Sequence, residues 1–342
     1  MNKLKKQGND LLGNRAKTDS IYIRMIRFFN HKKLNQLQLG INKWLVLKAL
    51  DLAADRSILY LSIDRTNWCL GNQPINLLCI GIVLENRKFI PLISESWDKK
   101  GNSNQGERID LLTALLELNS QFQEKQLCIV GDREFIGKQW FGAMQEAGID
   151  FVMRSRTGDY FQDVQKHRNL CSWELEAEFT RDIQKKKAHV SSVKLGEQEY
   201  YYHVQKNKKQ NAKEPTITWI SSLSNPFKVS KAFDKRWQIE VFFGDVKTKG
   251  FDLESMNFKY LGKALMMLSL CSIVYLCILV KGIEQRLKNG KTAIVFDKKM
   301  KKFYPRKSIV KLGYETFARE IGYSIYKLDR YLYNLAKHLT LT

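Results

Sequence analysis

Leu127-Cys-Ile-Val-Gly-Asp132 is the stretch on which the fold turns. It is apolar until its last residue, and a strand apolar on both faces belongs in the middle of a sheet. Upstream, Ser57-Ile-Leu-Tyr-Leu-Ser-Ile-Asp64 reads as a strand that also closes on aspartate. Residues 75–84 and 88–94 read as further strands, joined by turns rich in Asn, Gly and Pro at 71–74 and 85–87. Three strands with short turns make an antiparallel meander. A helical stripe over 107–118, a helix near 136–147 and a fifth strand at 151–154 complete an α/β unit.

The sequence then changes texture. Residues 156–215 alternate polar and aromatic positions, with hairpin strands expected at 188–195 and 199–205 and an exposed tip at 206–213, and read as a β-rich insertion. Strand character returns at 216–223. A charged helix is expected to open near Ser230 and to carry Phe233-Asp-Lys-Arg236-Trp-Gln-Ile-Glu240-Val-Phe-Phe-Gly-Asp-Val-Lys247. Steps of three, four and seven residues put Phe233, Arg236, Glu240 and Lys247 on one stripe of such a helix. A carboxylate flanked by two cations suits a metal ion held beside a phosphate; read blandly, the same pattern is a solvated face with an i, i+4 pair between Arg236 and Glu240.

Composition points to the partner. The net charge of +22, from 57 Lys and Arg against 35 Asp and Glu, calls for a polyanion, with nucleic acid first and an anionic membrane as the rival. The surplus concentrates at the ends, with eleven basic against four acidic residues over 1–55 and fifteen against five over 281–342, including a lysine cluster at 298–302. Residues 21–54 suggest two or three short helices interrupted near Asn30 and Gly40, a unit that serves either as a DNA binder or as a brace on the next domain. Residues 264–280 carry no charge, but Ser269, Ser272, Tyr275 and two cysteines temper them, and a buried core helix is expected there. Six scattered cysteines without a C-x-x-C pair read as buried free thiols in a reducing compartment, and no apolar signal core follows the N-terminal Met-Asn-Lys-Leu-Lys-Lys.

Asp64, Asp132 and Glu240 are three acids on three separate elements, the number that holds two divalent cations for in-line phosphoryl chemistry. With Arg236-x3-Glu240-x6-Lys247 and Asp132-Arg-Glu-Phe135, the chain resembles the bacterial insertion-sequence transposases that have an RNase H-like D-D-E core and a Tyr-Arg-Glu-Lys signature, with Phe233 at the signature tyrosine. The resemblance covers about residues 20–285. It implies a mixed five-stranded RNase H-like sheet interrupted by the insertion, organised as a basic helical DNA-binding region at 1–55, a catalytic core at 56–155 and 216–285 around the insertion at 156–215, and a basic region at 286–342.

It further implies Asp64, Asp132 and Glu240 as catalytic ligands of two Mg²⁺ or Mn²⁺ ions, and Arg236, Lys247 and the ring at Phe233 against DNA phosphate. The implied activity is cut-and-paste transposition by cleavage of DNA ends and strand transfer. A homodimer would act on double-stranded terminal repeats and target DNA in the bacterial cytoplasm, at the nucleoid. The competing reading is a DNA-binding relative that does not cut. Trp173 and Trp219 are candidates to stack on a flipped base, or core residues. Glu134 reads as part of the turn after its strand, Asp98 as a turn cap, Asp245 as pointing off the stripe, and His167, His189 and His203 as surface residues.

Overall fold

The computed structural model describes residues 17–70, 73–84, 88–97, 99, 101–156, 158–165, 168–182, 188–207, 214–249, 251, 253, 260–289, 294–297, 302–305 and 307–323. Two compact units emerge: Val46–Glu254, and Met1–Leu45 together with Ser255–Thr342. This division differs from the five-segment organisation read from the sequence, because the apolar helix after residue 260 groups with the N-terminal segment. The first helices are α1 (Thr18–Phe29) and α2 (Leu34–Leu52), and Gly40 lies inside α2 without interrupting it.

In the larger unit, β1 (Ile58–Leu70), β2 (Gln73–Val83) and β3 (Phe89–Trp97) form the antiparallel meander. Next come α3 (Gln105–Leu118), β4 (Gln126–Gly131), α4 (Lys138–Glu146) and β5 (Asp150–Arg154). Asn104 starts α3 with a capping box, accepting from the Glu107 amide while the Glu107 carboxylate accepts from the Asn104 amide. β4 pairs in parallel with both β1 and β5, so these five strands lie in the order β3-β2-β1-β4-β5. Leu127, Cys128, Ile129 and Val130 are all buried, as expected of a central strand.

The expected five-stranded sheet is only half of a larger one. After β5 come β6 (Tyr160–Asp163), β7 (Arg168–Cys171), α5 (Ser172–Asp182), β8 (Ala188–Leu195), β9 (Gln198–Lys206) and β10 (Thr216–Ser221). β10 pairs with β5 on one side and β9 on the other, which extends a single ten-stranded sheet through β8, β6 and β7. The segment read as β-rich thus also contains a helix and shares its backbone ladder with the rest of the sheet.

The charged helix is broken in two. Asn225 caps α6 (Pro226–Phe233) by accepting from the Phe227 and Lys228 amides, and Pro226 takes the first turn, where its missing N–H costs nothing. The N-cap is therefore Asn225 and not Ser230. A turn through Asp234, Lys235 and Arg236 leads to α7 (Trp237–Gly244), and a π-helical turn follows at Asp245–Lys249. Phe233, Arg236, Glu240 and Lys247 accordingly lie on four consecutive segments and not on one continuous stripe. α6 packs over β4 and β5, and α7 over β1 and β3, with Ile239, Phe242 and Phe243 buried beneath it.

In the smaller unit, α8 (Leu261–Asn289) packs against α9 (Ile309–Tyr323), and β11 (Ile294–Asp297) and β12 (Lys302–Pro305) form a two-stranded ribbon. A Cβ on Gly313 would lie 1.9 Å from the Ile278 carbonyl oxygen, so glycine is what lets these helices touch. α8 is long and apolar enough to cross a bilayer, with a mean hydropathy of 2.2, yet 67% of its apolar window is buried in the protein, as in a core helix.

Candidate active site

Register places Asp64 and Asp132 at the same level along β1 and β4. β1 and β4 run parallel from Ile58↔Gln126 to Ser62↔Val130, where their pairing ends. Two residues further along come Asp64, still on β1, and Asp132, just past the end of β4, at the carboxyl edge of the paired stretch, where open α/β sheets bind ligands. β1 does not end at Asp64, as the sequence suggested. It continues to Leu70 against β2, which leaves Asp64 mid-strand and rigidly held. Gly131, just before Asp132, is tightly surrounded: a Cβ would lie 2.7 Å from Met153 Sδ and 3.0 Å from the Phe135 ring, so a side chain there would force Met153 to shift.

Arg236 brings the third acid in. Its Nη1 donates to Asp64 Oδ2 at 3.4 Å and its Nη2 donates to Glu240 Oε1 across one helical turn. Its own carbonyl accepts from Ser62 Oγ at 3.3 Å, which pins the α6–α7 turn to β1. The i, i+4 pair anticipated as a solvated face therefore exists, but it reaches inward to an aspartate on the central sheet. Lys247 Nζ donates to the Asn67 carbonyl at 2.7 Å, back on β1. Phe233 lies edge-on to Trp219, centroids 5.7 Å apart, with the Arg236 guanidinium 5.6 Å from its ring. It packs on the buried cluster of Cys128, Val130, Val152, Trp219, Val229 and Ala232.

Burial decides the electrostatics of Asp64. Desolvation pushes its carboxyl up to about 7, outweighing the Arg65 amide, which donates at 2.8 Å, and the Arg236 charge; Glu134 and Glu240 push the same way as burial. This is a carboxylate short of positive charge. The Asp132 carboxylate accepts no hydrogen bond among the described residues, and its charge is felt at Arg154 and Glu214. Among the described residues no three His, Cys, Asp or Glu side chains gather closely enough to enclose a metal ion. The donor chemistry nevertheless fits a hard divalent cation: three carboxylates on separate elements, one of them largely withdrawn from water with its charge incompletely met.

Several residues of the site escaped the sequence reading. Arg133 Nη2 holds both Glu214 carboxylate oxygens at 2.5 and 2.6 Å, and Arg154 donates to the same carboxylate. Glu134 forms a two-oxygen contact with Arg65, so it does more than complete a turn. Cations directly after the two aspartates, Arg65 after Asp64 and Arg133 after Asp132, were the available signal. Trp219 is buried on β10, whereas Trp173 is exposed on α5. His203 is buried, not superficial: its Nε2 lies 2.8 Å from the Leu223 carbonyl, and burial lowers it to about 4. Cys79, Cys128, Cys171, Cys271 and Cys277 are buried free thiols. Asp98, His167, and the lysines at 298, 299 and 301 lie outside the described residues.

The family model of the transposase DDE domain matches residues 99–277, more than half of the chain. This chain belongs to the DDE transposase family. The matched span of the DDE domain contains Asp132, Phe233, Arg236, Glu240 and Lys247, and Asp64 precedes it. Membership makes the protein a DNA-acting one, of a family that generally uses divalent metal ions. No curated protein matches. Solved structures similar to parts of the chain include an Aquifex aeolicus Argonaute, at 10% identity over 54% of this chain and 25% of that one, with a TM-score of 0.29. The NurA nuclease of Sulfolobus solfataricus is similar at 11% identity over 75% of this chain and 97% of that one, with a TM-score of 0.26.

Proposed function

We propose that this DDE-family protein is an insertion-sequence transposase that cuts the DNA ends of its element and transfers them to a target, from an RNase H-like core formed by β1 to β5. The observation that carries the reading is the meeting of Asp64 and Glu240, from elements far apart in sequence, on the single guanidinium of Arg236. Asp64, Asp132 and Glu240 are the residues that would hold two Mg²⁺ or Mn²⁺ ions, which supply activation of the attacking oxygen and stabilisation of the leaving one. Arg236 and Lys247 bind phosphate oxygens and orient the end. Arg236 Nε and Arg154 Nε are buried without a hydrogen-bond partner, so any phosphate contact by either side chain must come through its Nη groups. Double-stranded terminal repeats are the substrate, a homodimer is the working form, and the bacterial nucleoid is the place of action.

A second reading is a DNA-binding relative that does not cut, favoured by phenylalanine in place of tyrosine at position 233. Incubation of the purified protein with Mg²⁺ and a duplex carrying the inverted repeat and flanking DNA separates the two. Nicks at the repeat boundary, lost in Asp132→Asn, support the transposase; a gel shift without nicks supports the binder.

A further inference from the structure

Arg65 spreads its guanidinium over three segments. Its Nε donates to both carboxylate oxygens of Glu134 at 3.2 and 3.0 Å, its Nη1 to Asn67 Oδ1 at 2.7 Å and its Nη2 to Asn102 Oδ1 at 3.0 Å. Arg65 follows Asp64 on β1 and presents its own amide to the Asp64 carboxylate. Glu134 lies two residues beyond Asp132, in the short 3₁₀ turn Arg133–Phe135 that closes β4. Asn67, which receives the Nη1 bond, also gives its carbonyl to Lys247, in the π-helical turn directly after the helix of Glu240. One side chain thus links, at a single remove, all three acid-bearing segments.

We propose that Arg65 and Glu134 are positioning residues that set the spacing of Asp64, Asp132 and Glu240, and with it the affinity of the site for its metal ions. This rests on the transposase reading above. Side-chain exposures of 15% and 14% make the pair nearly buried, and such a pair gives little net stability over an apolar replacement. Geometry is what it adds. The planar fork binds in three directions at once, which a lysine ammonium on a flexible stem cannot reproduce. Small displacements of reacting groups cost large factors in rate.

The test compares wild type with Arg65→Met/Glu134→Leu, Arg65→Lys, and Asn102→Ala, whose truncated side chain is exposed. Mn²⁺ binding followed by electron paramagnetic resonance, affinity for the end duplex, melting temperature, and kcat and KM of cleavage are measured on each. The inference expects the double variant to melt near wild type and to bind the duplex within about twofold, while Mn²⁺ affinity falls about tenfold and kcat about a hundredfold. Arg65→Lys and Asn102→Ala should lose less, in the same order and in the same two quantities. A folded double variant with wild-type Mn²⁺ affinity and kcat overturns the inference. If the double variant does not fold, wild-type Mn²⁺ affinity in both Arg65→Lys and Asn102→Ala overturns it equally. A wild-type protein that neither binds Mn²⁺ nor cuts DNA defeats the transposase reading itself, whatever the variants do.

Discussion

Arg236 stands between Asp64 and Glu240, 3.4 Å from the first and hydrogen-bonded to the second. The guanidinium supplies part of the positive charge that these carboxylates need; on the proposed reading, metal and DNA would release it to take a phosphate. Arg236→Lys keeps the charge but loses the fork, and should lower end cleavage by about a hundredfold while weakening DNA binding severalfold. Lys247→Arg, where a point charge suffices, should cost less than about fivefold. Single-turnover cleavage of the end duplex reads both.

Asp64 binds its proton more tightly in the folded protein than unfolded, since its carboxyl lies near 7 against an ordinary 3.8. Between those values the folded state holds more protons, so rising pH destabilises it; the cost is complete above about pH 7 and absent below about pH 4. Asp64→Asn, which copies the neutral form, should raise the melting temperature at pH 8 and leave it unchanged at pH 4, while abolishing cleavage. Mg²⁺ at pH 8 should stabilise wild type but not this variant. Thermal melts at the two pH values, with and without Mg²⁺, check the sign.

Phe233 is half-buried, with one edge on Trp219 and the apolar cluster beneath. Phe233→Tyr should keep the melting temperature within a few degrees and raise end binding or cleavage by up to about tenfold, the worth of a hydrogen bond to a charged group. A lower melting temperature without gain would place the outer ring edge against the core.

Gly131→Ala puts a methyl where Met153 Sδ, the Phe135 ring and the Ile63 side chain already lie within 3.1 Å. Overpacking of this kind costs about 1–3 kcal/mol, and relief by moving the strand end would displace Asp132. Urea denaturation should show that loss, and cleavage should fall further than the fraction unfolded explains.

The basic residues outside the larger unit should act through phosphate. Replacing Lys298, Lys299, Lys301 and Lys302 with glutamine should lower the slope of log K against log salt by up to about 0.9 for each phosphate no longer neutralised, with sequence preference unchanged. An unaltered slope would show that these charges are merely solvated.

Local signals made much of this legible. The meander, the central strand at 127–132, the hairpin strands at 188–195 and 198–206 and the i, i+4 relation of Arg236 to Glu240 all follow from period and spacing. What escaped depends on distant partners. β10 pairs with both β5 and β9, and nothing within its six residues announces either neighbour. The break at 234–236 contains no Gly or Pro to mark it, and Asp234 and Arg236 keep helical dihedrals; the Asn225-Pro226 start lies five residues ahead of Ser230. The link from Arg65 to Glu134 joins a strand to a turn by side chains alone, and periodicity carries no trace of such a contact.

The ladder between β5 and β10 also bears on how the protein is made. β10 can pair only after the whole intervening segment has been synthesised, and α6 and α7 follow it in the chain. A ribosome releases Asp64 first, then Asp132, and Glu240 only after the sheet has been extended through β6 to β9. Contacts of such long sequence separation form slowly. Glu240 can therefore join the other two acids only after about seven tenths of the 342 residues have emerged, so on the proposed reading no shorter nascent chain could cut DNA.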